Sequence, residues 1–471
     1  MNENVALLHA LLRSDFSSFI EKTFHTVTPG EVYHRNWHID AIAHHLELCR
    51  QRKIKRLIIT VPPRCLKSVT TSVAFPAFLL GKGPSERILC VSYSQDLALK
   101  HGSDMRAIVD APWYRQLFPN SKVSSTGSTQ FEYRTQERGF RLSTSVQGSI
   151  TGRGANFIIV DDAHKADEVL STTKRERVIN WVRNTLFTRL DDKENGVIIV
   201  IQQRLHESDL VGHLLETGDW VHLNLPAIAE DYSEISVGAD QVKIREPGDL
   251  LDPSRHPKHV LDELARDLGS YFFAAQYQQC PAPSGGNLVQ WKWFKRYNHP
   301  PQKRTGRIIQ SWDTANTATE SSDYSVCTTW LAQDSHHYLL DVIRKKLTFP
   351  DLVRGVVAAQ QRQQADLVLI EEAGSGISLL QQMKQQGLKC VGIKPHLDKE
   401  TRLVSETAMI EAGYVSIPTE ASWVAAFQHE LVMFPNGKYD DQVDSLSQYL
   451  EYQRVRAKKG GKLTIVPIRS Y

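Results

Sequence analysis

The sequence predicts an α/β protein of two domains, and three observations carry that prediction. Short apolar runs alternate with helical patterns through the first half, as in a largely parallel sheet with helices between its strands. Pro and Gly cluster at Cys280-Pro-Ala-Pro-Ser-Gly-Gly286 and interrupt the alternation. The pattern then restarts with three strand-like runs close together, followed by alternating helices and strands, as in a mixed sheet that begins with an antiparallel meander. The boundaries that follow are a first domain over 1–282, a linker over 283–304, a second domain over 305–453 and a basic tail over 454–471.

Taken in order, Ile39, Ile42 and Leu46 fall at helical spacing, so residues 38–50 read as an amphipathic helix. Strand-like runs follow at Leu57–Val61, Arg87–Ser92, Phe157–Val160, Val197–Ile201 and Trp220–Leu225. In the second half the strand candidates are Arg307–Trp312, Ser325–Leu331, His337–Val342 and Leu367–Ile370. The helix candidates there are Asp351–Gln364, Ile377–Gln386 and a last one through Gln442–Leu450. The tail carries Arg454, Arg456, Lys458, Lys459, Lys462 and Arg469 and no acid. It reads equally as a contact for DNA or a protein and as a solvated end.

Composition excludes more than it identifies. The chain has 471 residues, 41% of them hydrophobic, which is enough for two substantial cores. A formal net charge of +3 makes any nucleic-acid surface a local one. The six cysteines are scattered without a C-x-x-C pair, which points to a reducing compartment and away from structural zinc. No apolar run approaches the roughly 20 residues of a membrane span.

The stretch Val61-Pro-Pro-Arg-Cys-Leu-Lys-Ser68 ends as a phosphate-binding P-loop does, although Val61 and Leu66 stand where that motif has glycines. Its context fits. A buried-type strand enters it, and a helical pattern leaves it. Backbone N–H groups of such a loop converge on phosphate at a helix N-terminus. Pro63, Arg64, Cys65, Leu66, Lys67, Ser68 and Val69 would then cradle ATP, with Lys67 on the terminal phosphates and Ser68 on Mg²⁺. Farther on, Phe157-Ile-Ile-Val-Asp-Asp162 is an apolar strand ending in two carboxylates. Asp161 suits the Mg²⁺ ion and Asp162 the attacking water. A third strand ends in Gln202-Gln-Arg-Leu-His206, where Arg204 could sense the γ-phosphate; an ordinary solvated strand end is the competing reading. The glycines of Thr151-Gly-Arg-Gly-Ala155 suggest a loop from which Arg153 could meet phosphate or DNA. Tyr33, His34 and Trp37 could stack on adenine. His34 and His38 have a metal-like spacing but no third ligand nearby.

The second half places acids at strand ends and on its last helix. Asp313 follows Ile308–Trp312, Glu371 and Glu372 follow Leu367–Ile370, and Asp440, Asp441 and Asp444 open the final helix. Spacings of three and four set Asp440 and Asp441 near Asp444 on one helical face. Carboxylates grouped this way repel one another unless cations bridge them. Mg²⁺ or Mn²⁺ ions held by Asp313, Glu371 and Asp444, with Asp441 as the alternative third ligand, could clamp a phosphodiester for attack by water. Acids on the first strand, the fourth strand and a last helix are the layout of an RNase H-like nuclease. Asp323 is a candidate accessory acid.

The ordered set Tyr33…Trp37-His38, PPRCLKS, TGRGANFIIVDD, VIIVIQQRLHESDLVG, YQQCPAPSGG, WDTA, LIEEAGSG, DKETR and DDQVDS resembles the large terminase subunit of tailed bacteriophages, from about residue 30 to 450. The resemblance implies an N-terminal P-loop ATPase that drives translocation of double-stranded DNA and a C-terminal RNase H-like nuclease that cuts concatemeric DNA. It implies a portal protein and a small terminase subunit as partners. Assembly would be as a homo-oligomeric ring, for instance a pentamer, on the procapsid, in the bacterial cytoplasm and not in the mature virion. A neighbouring subunit, or the same one, would supply a catalytic arginine, Arg64 or Arg153. A helicase-nuclease or a transposase would share one of the two domains. An ATP-gated DNA-binding protein with a decayed P-loop would account for Leu66.

Overall fold

The computed structural model describes residues 3–124, 128–281, 288–303, 306–314, 324–437 and 439–460. The chain divides into two compact units, one of Met1–Ala265 with Phe272–Ala282, the other of Arg266–Tyr271 with Pro283–Tyr471.

The first unit is organised by strands that are apolar on both faces. Its strands are β1 (Arg56–Thr60), β2 (Arg87–Ser92), β3 (Glu132–Arg134), β4 (Phe140–Ser145), β5 (Phe157–Asp161), β6 (Val197–Gln202) and β7 (Val221–Asn224). They form one sheet in the order β3-β4-β2-β5-β6-β1-β7. Every pairing is parallel except β3 with β4. Alternate residues point to opposite faces of a strand. Leu57, Ile59, Phe157, Ile159, Val197 and Ile199 accordingly enter one core with Phe16, Phe19, Ile42 and Phe78 from the helices. Ile58, Ile158, Val160, Ile198 and Val200 enter the other, with Val182, Leu186, Leu210 and Leu214. Burial of both faces is what the continuous apolar runs require, and it makes the sheet parallel and doubly covered. Beyond the sheet, Ser233–Gly238 (β8) and Gln241–Arg245 (β9) make an antiparallel hairpin.

The second unit has a mixed sheet. Its strands are β10 (Lys295–Tyr297), β11 (Arg307–Asp313), β12 (Ser325–Gln333), β13 (His336–Lys345), β14 (Leu367–Glu371), β15 (Cys390–Ile393) and β16 (Val415–Pro418). Their order is β10-β16-β13-β12-β11-β14-β15. The expected meander is β11-β12-β13, antiparallel throughout. The remaining strands run parallel to their neighbours. Trp312 lies on one face among Leu352, Val356 and Leu379, from the helices Phe349–Gln363 and Ser375–Gln385. Trp330 stacks on Tyr449 of the helix Asp441–Gly460, with ring centroids 4.5 Å apart.

Two expected boundaries shift. The segment expected as a linker over 283–304 contributes β10, whose pairing with β16 gives it a place in the second sheet. The residues expected to open a basic tail, 454–460, continue the last helix. The rest of the tail and Asp323 lie outside the described residues. No described helix is long and apolar enough to cross a membrane.

Candidate active sites

The loop after β1 solves its lack of glycine by left-handed backbone at ordinary residues. Arg64 has φ +65° and Leu66 φ +57°. Leu66 thus adopts the conformation that a glycine would take without cost. Leu66 is partly buried and packs against the first core, which holds it in this geometry. A wide helical turn, Val69–Ala74, leads into the helix Phe75–Lys82. Such turns inside helices are frequent at functional sites. Ser68 heads the turn, and the Thr70 N–H donates to the Leu66 carbonyl over 3.0 Å. Thr71 is locked down by a 2.8 Å bond from its hydroxyl to the Lys67 carbonyl.

Asp161 closes β5, and Asp162 follows it in the left-handed region, at φ +47°. The kink turns the two carboxylates to different partners. Asp161 accepts from the Ser68 hydroxyl at 3.2 Å and from the Ser72 hydroxyl at 2.7 Å. Asp162 pairs with the Lys67 ammonium at 2.7 Å and accepts from the Gln203 N–H at 3.3 Å. Burial raises both carboxyl pKa values, and Lys67 partly opposes this. Burial disfavours the Lys67 charge, yet Asp162 and Asp161 outweigh it and raise the ammonium's pKa. A lysine, a serine hydroxyl and two strand-end carboxylates therefore meet in one partly buried cluster. A hydroxyl beside a carboxylate is an all-oxygen donor pair that suits Mg²⁺.

Three residues here escaped the sequence reading. Ser72 lies one helical turn beyond Ser68, a spacing that could have drawn attention. His101 Nδ1 lies 3.6 Å from Asp161, and burial pushes its pKa down to about 4. Arg141 is buried and donates to the Ser72 carbonyl at 3.2 Å.

Other expected residues take different roles. Arg204 is 7% exposed, and its Nε lies 3.0 Å from both oxygens of the buried Asp209. Its Nη2 donates to the carbonyls of His206 and Glu207. These bonds brace the start of the helix Leu210–Thr217. Arg153 is likewise paired to Glu132 of β3, with two contacts of 3.1 Å, at the sheet edge far from β1. Arg64 is exposed on the loop. Tyr33 packs its ring on Phe24 at 5.3 Å, and Trp37 lies under the Arg245 guanidinium at 5.5 Å. His38 is buried and held neutral by burial, with a pKa of about 4, while His34 is exposed.

In the second unit the acids stand at the ends of neighbouring strands and on the last helix. Trp312 pairs with Ile370 across the parallel strands β11 and β14, so Asp313 and Glu371 come next, side by side. Asp444 arrives in the first turn of the helix Asp441–Gly460. Gln448 and Ser445 fix that helix, donating to the Ser311 hydroxyl and carbonyl at 2.9 and 2.8 Å. Burial, and then Asp444, Glu371 and Asp441, lift the Asp313 carboxyl well above the usual range. Burial likewise lifts Asp444 to about 6, against the opposing pull of Arg402 and Lys399. Asp441 accepts from the Tyr324 N–H at 3.4 Å, and Asp440 pairs with Lys399 at 2.6 Å. Glu372 turns away toward Lys394.

An all-carboxylate donor set fits hard divalent cations such as Mg²⁺ and Mn²⁺. Among the described residues, however, no three His, Cys, Asp or Glu side chains converge closely enough to hold one ion. The acids point instead at Arg402, which donates to Glu371 at 2.9 Å and to Asp444 at 2.7 Å. Neither Arg402 nor Lys399 was given a role from the sequence.

Residues 310–453 match the family model of the terminase RNaseH-like domain. The chain is similar in fold to the large terminase from a thermophilic bacteriophage, at 9% identity and a TM-score of 0.50, covering 88% of this chain and 98% of that one. The large terminase of bacteriophage HK97 aligns at 11% identity and a TM-score of 0.37, over 93% of this chain and 98% of its own. The large terminase nuclease from the thermophilic phage G20c, with bound magnesium, aligns at 17% identity and a TM-score of 0.28, over 36% of this chain and 98% of its own. No curated protein matches the chain. The second unit thus has the sequence signature of a terminase RNase H-like domain, and the chain is similar in fold to a phage large terminase.

Two predictions follow from the first unit. Leu66→Gly should keep ATP affinity within about threefold, because glycine reaches the same backbone region freely. Leu66→Val should weaken it by roughly tenfold or more, because a β-branched residue is a true outlier there. Titration with a fluorescent ATP analogue distinguishes them, and equal loss in both would contradict the backbone explanation. Arg204→Ala should destabilise the first unit by about 3–5 kcal/mol, since it leaves Asp209 buried without its counter-charge. A urea unfolding midpoint near that of the wild type would refute the brace.

Proposed function

We propose that the chain is a phage large terminase subunit. Its first unit hydrolyses ATP to drive double-stranded DNA into a procapsid, and its second unit cuts concatemeric DNA with the help of divalent metal ions. The observation that carries this reading is the coexistence of two separate sites. One is the Lys67–Ser68 loop facing Asp161 and Asp162. The other is the Asp313–Glu371–Asp444 group in a terminase RNase H-like domain.

In the first unit, the loop N–H groups around Arg64 and Leu66 would bind the phosphates, and Ser68 and Asp161, which share a hydrogen bond, would hold Mg²⁺. Lys67 exchanges Asp162 for the terminal phosphate oxygens as ATP enters. That exchange frees Asp162, still fixed by the Gln203 N–H, to orient the attacking water and take its proton. Burial, by raising the Asp162 pKa, makes it a better proton acceptor than a solvated carboxylate. An arginine closing on the γ-phosphate is worth about 10³–10⁵ in rate in related chemistry. The exposed Arg64 is the candidate for that role, within its own subunit or toward a neighbour in a ring. The left-handed backbone at Leu66, the conformation a glycine would take, supports this reading over a decayed loop.

In the second unit, Asp313, Glu371 and Asp444 are the residues that would hold the metal ions, with Asp441 adjoining. Metal ions at such a site activate water and stabilise the charge that develops on the phosphodiester. The protein's share is to fix the acids on β11, β14 and the last helix, where Gln448 and Ser445 set the helix position. Duplex DNA, a portal protein, a small terminase subunit and further copies of the chain are the partners this function calls for, in the host cytoplasm.

The two activities should separate. Lys67→Ala should lower ATP hydrolysis by about 10²-fold or more and leave metal-dependent cleavage of plasmid DNA in place. Asp313→Asn should do the reverse. A folded single variant that loses both activities would argue against two independent sites.

A further inference from the structure

The helix that leaves the phosphate loop carries a proline in its first turn, Pro76 of the helix Phe75–Lys82. A proline has no N–H for the carbonyl four residues earlier, and its ring crowds that carbonyl. Here the carbonyl belongs to Ser72, whose hydroxyl donates to Asp161 at 2.7 Å. The wide turn Val69–Ala74 lies just before, and the Phe75 N–H reaches back five residues to the Thr70 carbonyl. Ser72 is buried, so its carbonyl needs a donor from the protein.

A different strand supplies that donor. Arg141 of β4 is 1% exposed, and its Nη2 donates to the Ser72 carbonyl at 3.2 Å. Its Nη1 donates to the Ser143 hydroxyl on the same strand. Withdrawing a guanidinium from water is costly, and its planar fork offsets the cost by reaching two acceptors at once. The room for it is made by a missing side chain. A Cβ at Gly102, in the helix Gln95–Asp110, would stand 2.8 Å from Arg141 Nη1 and 2.6 Å from Ser143 Oγ. The residue before that glycine, His101, comes within 3.6 Å of Asp161. Pro76, Arg141 and Gly102 thus belong to three different elements and are all tied to the Ser72 turn.

We propose that Arg141 is a positioning residue of the ATP site. It replaces the donor that Pro76 lacks, and so holds the turn from which Ser72 fixes Asp161 beside Ser68. The turn then depends on β4, rather than on its own helix, for that bond. The proposal rests on the ATPase reading of the first unit.

The test is hydrogen–deuterium exchange on the nucleotide-free full-length chain, read by mass spectrometry over residues 69–82. It is paired with kcat and KM for ATP in Mg²⁺ and duplex DNA. The variants are Arg141→Met, Pro76→Ala, the double variant and Gly102→Ala. Arg141→Met should speed exchange over 69–82 by about tenfold or more and leave β1 and β6 near wild type. It should lower kcat by about tenfold with KM within about twofold, because a small misplacement beside the reacting groups costs rate. The loop residues that would take the phosphates precede the turn and keep their place. Pro76→Ala restores an N–H, so adding Arg141→Met to it should change either readout by no more than about threefold. A merely buried arginine would not be rescued in this way. Gly102→Ala keeps the arginine but crowds it, and serves should Arg141→Met fail to fold. It should speed exchange over 69–82 although alanine is the better helix former. Unchanged exchange there in both variants, exchange that rises evenly through the first unit, or an Arg141→Met penalty as large with Pro76→Ala as without it would overturn the donor role. Faster local exchange with unchanged kcat would overturn the positioning role and leave the ATPase reading standing. Wild-type protein without turnover would remove the ATPase reading and the positioning role with it.

Discussion

A buried carboxylate needs cations or hydrogen-bond donors to replace its lost hydration, and both candidate sites are arranged around that constraint. Each unit ends central parallel strands in acids: β5 in Asp161, with Asp162 just beyond, and β11 and β14 in Asp313 and Glu371. Acids withdrawn from water in this way lose solvation that the protein has to replace. In the first unit Lys67 supplies the counter-charge, and in the second Arg402 and Lys399 do. The compensating cation in each case sits where the chemistry needs it. Lys67 lies on the loop that would take phosphate. Lys399 lies at the more open side of the acids that would take metal.

Backbone geometry is the second means by which the first site is built. Arg64, Leu66 and Asp162 all have left-handed backbone, within one small region. Strain of this kind persists only where surrounding structure over-determines it, and it gathers at functional sites. The surrounding structure is visible here. Leu66 packs on the core, the Asp162 N–H donates to the Ile201 carbonyl at 2.9 Å, and the Asp162 carbonyl accepts from the Tyr93 N–H at 3.0 Å. A loop without glycine is thus held by its neighbours in the shape that glycine would adopt unaided.

Features that depend on local pattern were legible in the sequence. The apolar runs of β1, β5 and β6 announce a doubly covered parallel sheet, and a strand followed by Lys-Ser or Asp-Asp announces what stands at its end. The positions of Asp313 and Glu371 at strand ends and of Asp444 in the first turn of the last helix were legible as well. Features that depend on a distant partner were not legible. Arg204 reads as a free cation at a strand end until the fold supplies Asp209, and Arg153 until it supplies Glu132. Ser445 and Gln448 look like ordinary helix residues until β11 lies beneath them. The cations on the acids come from a helix that sequence distance separates from Glu371 and Asp444, so nothing local marks Lys399 or Arg402 as their partners. The expected linker hid β10 for the same reason, since a short edge strand is defined by what it pairs with.

The most direct test of the motor reading is phosphate release by the full-length chain with ATP and Mg²⁺, with and without duplex DNA, over a range of salt. A motor that grips the DNA backbone should hydrolyse ATP faster with duplex present, and the stimulation should fade as salt rises, because phosphate contacts release counter-ions. Hydrolysis that is absent under all these conditions, or indifferent to duplex DNA and to salt, would contradict it.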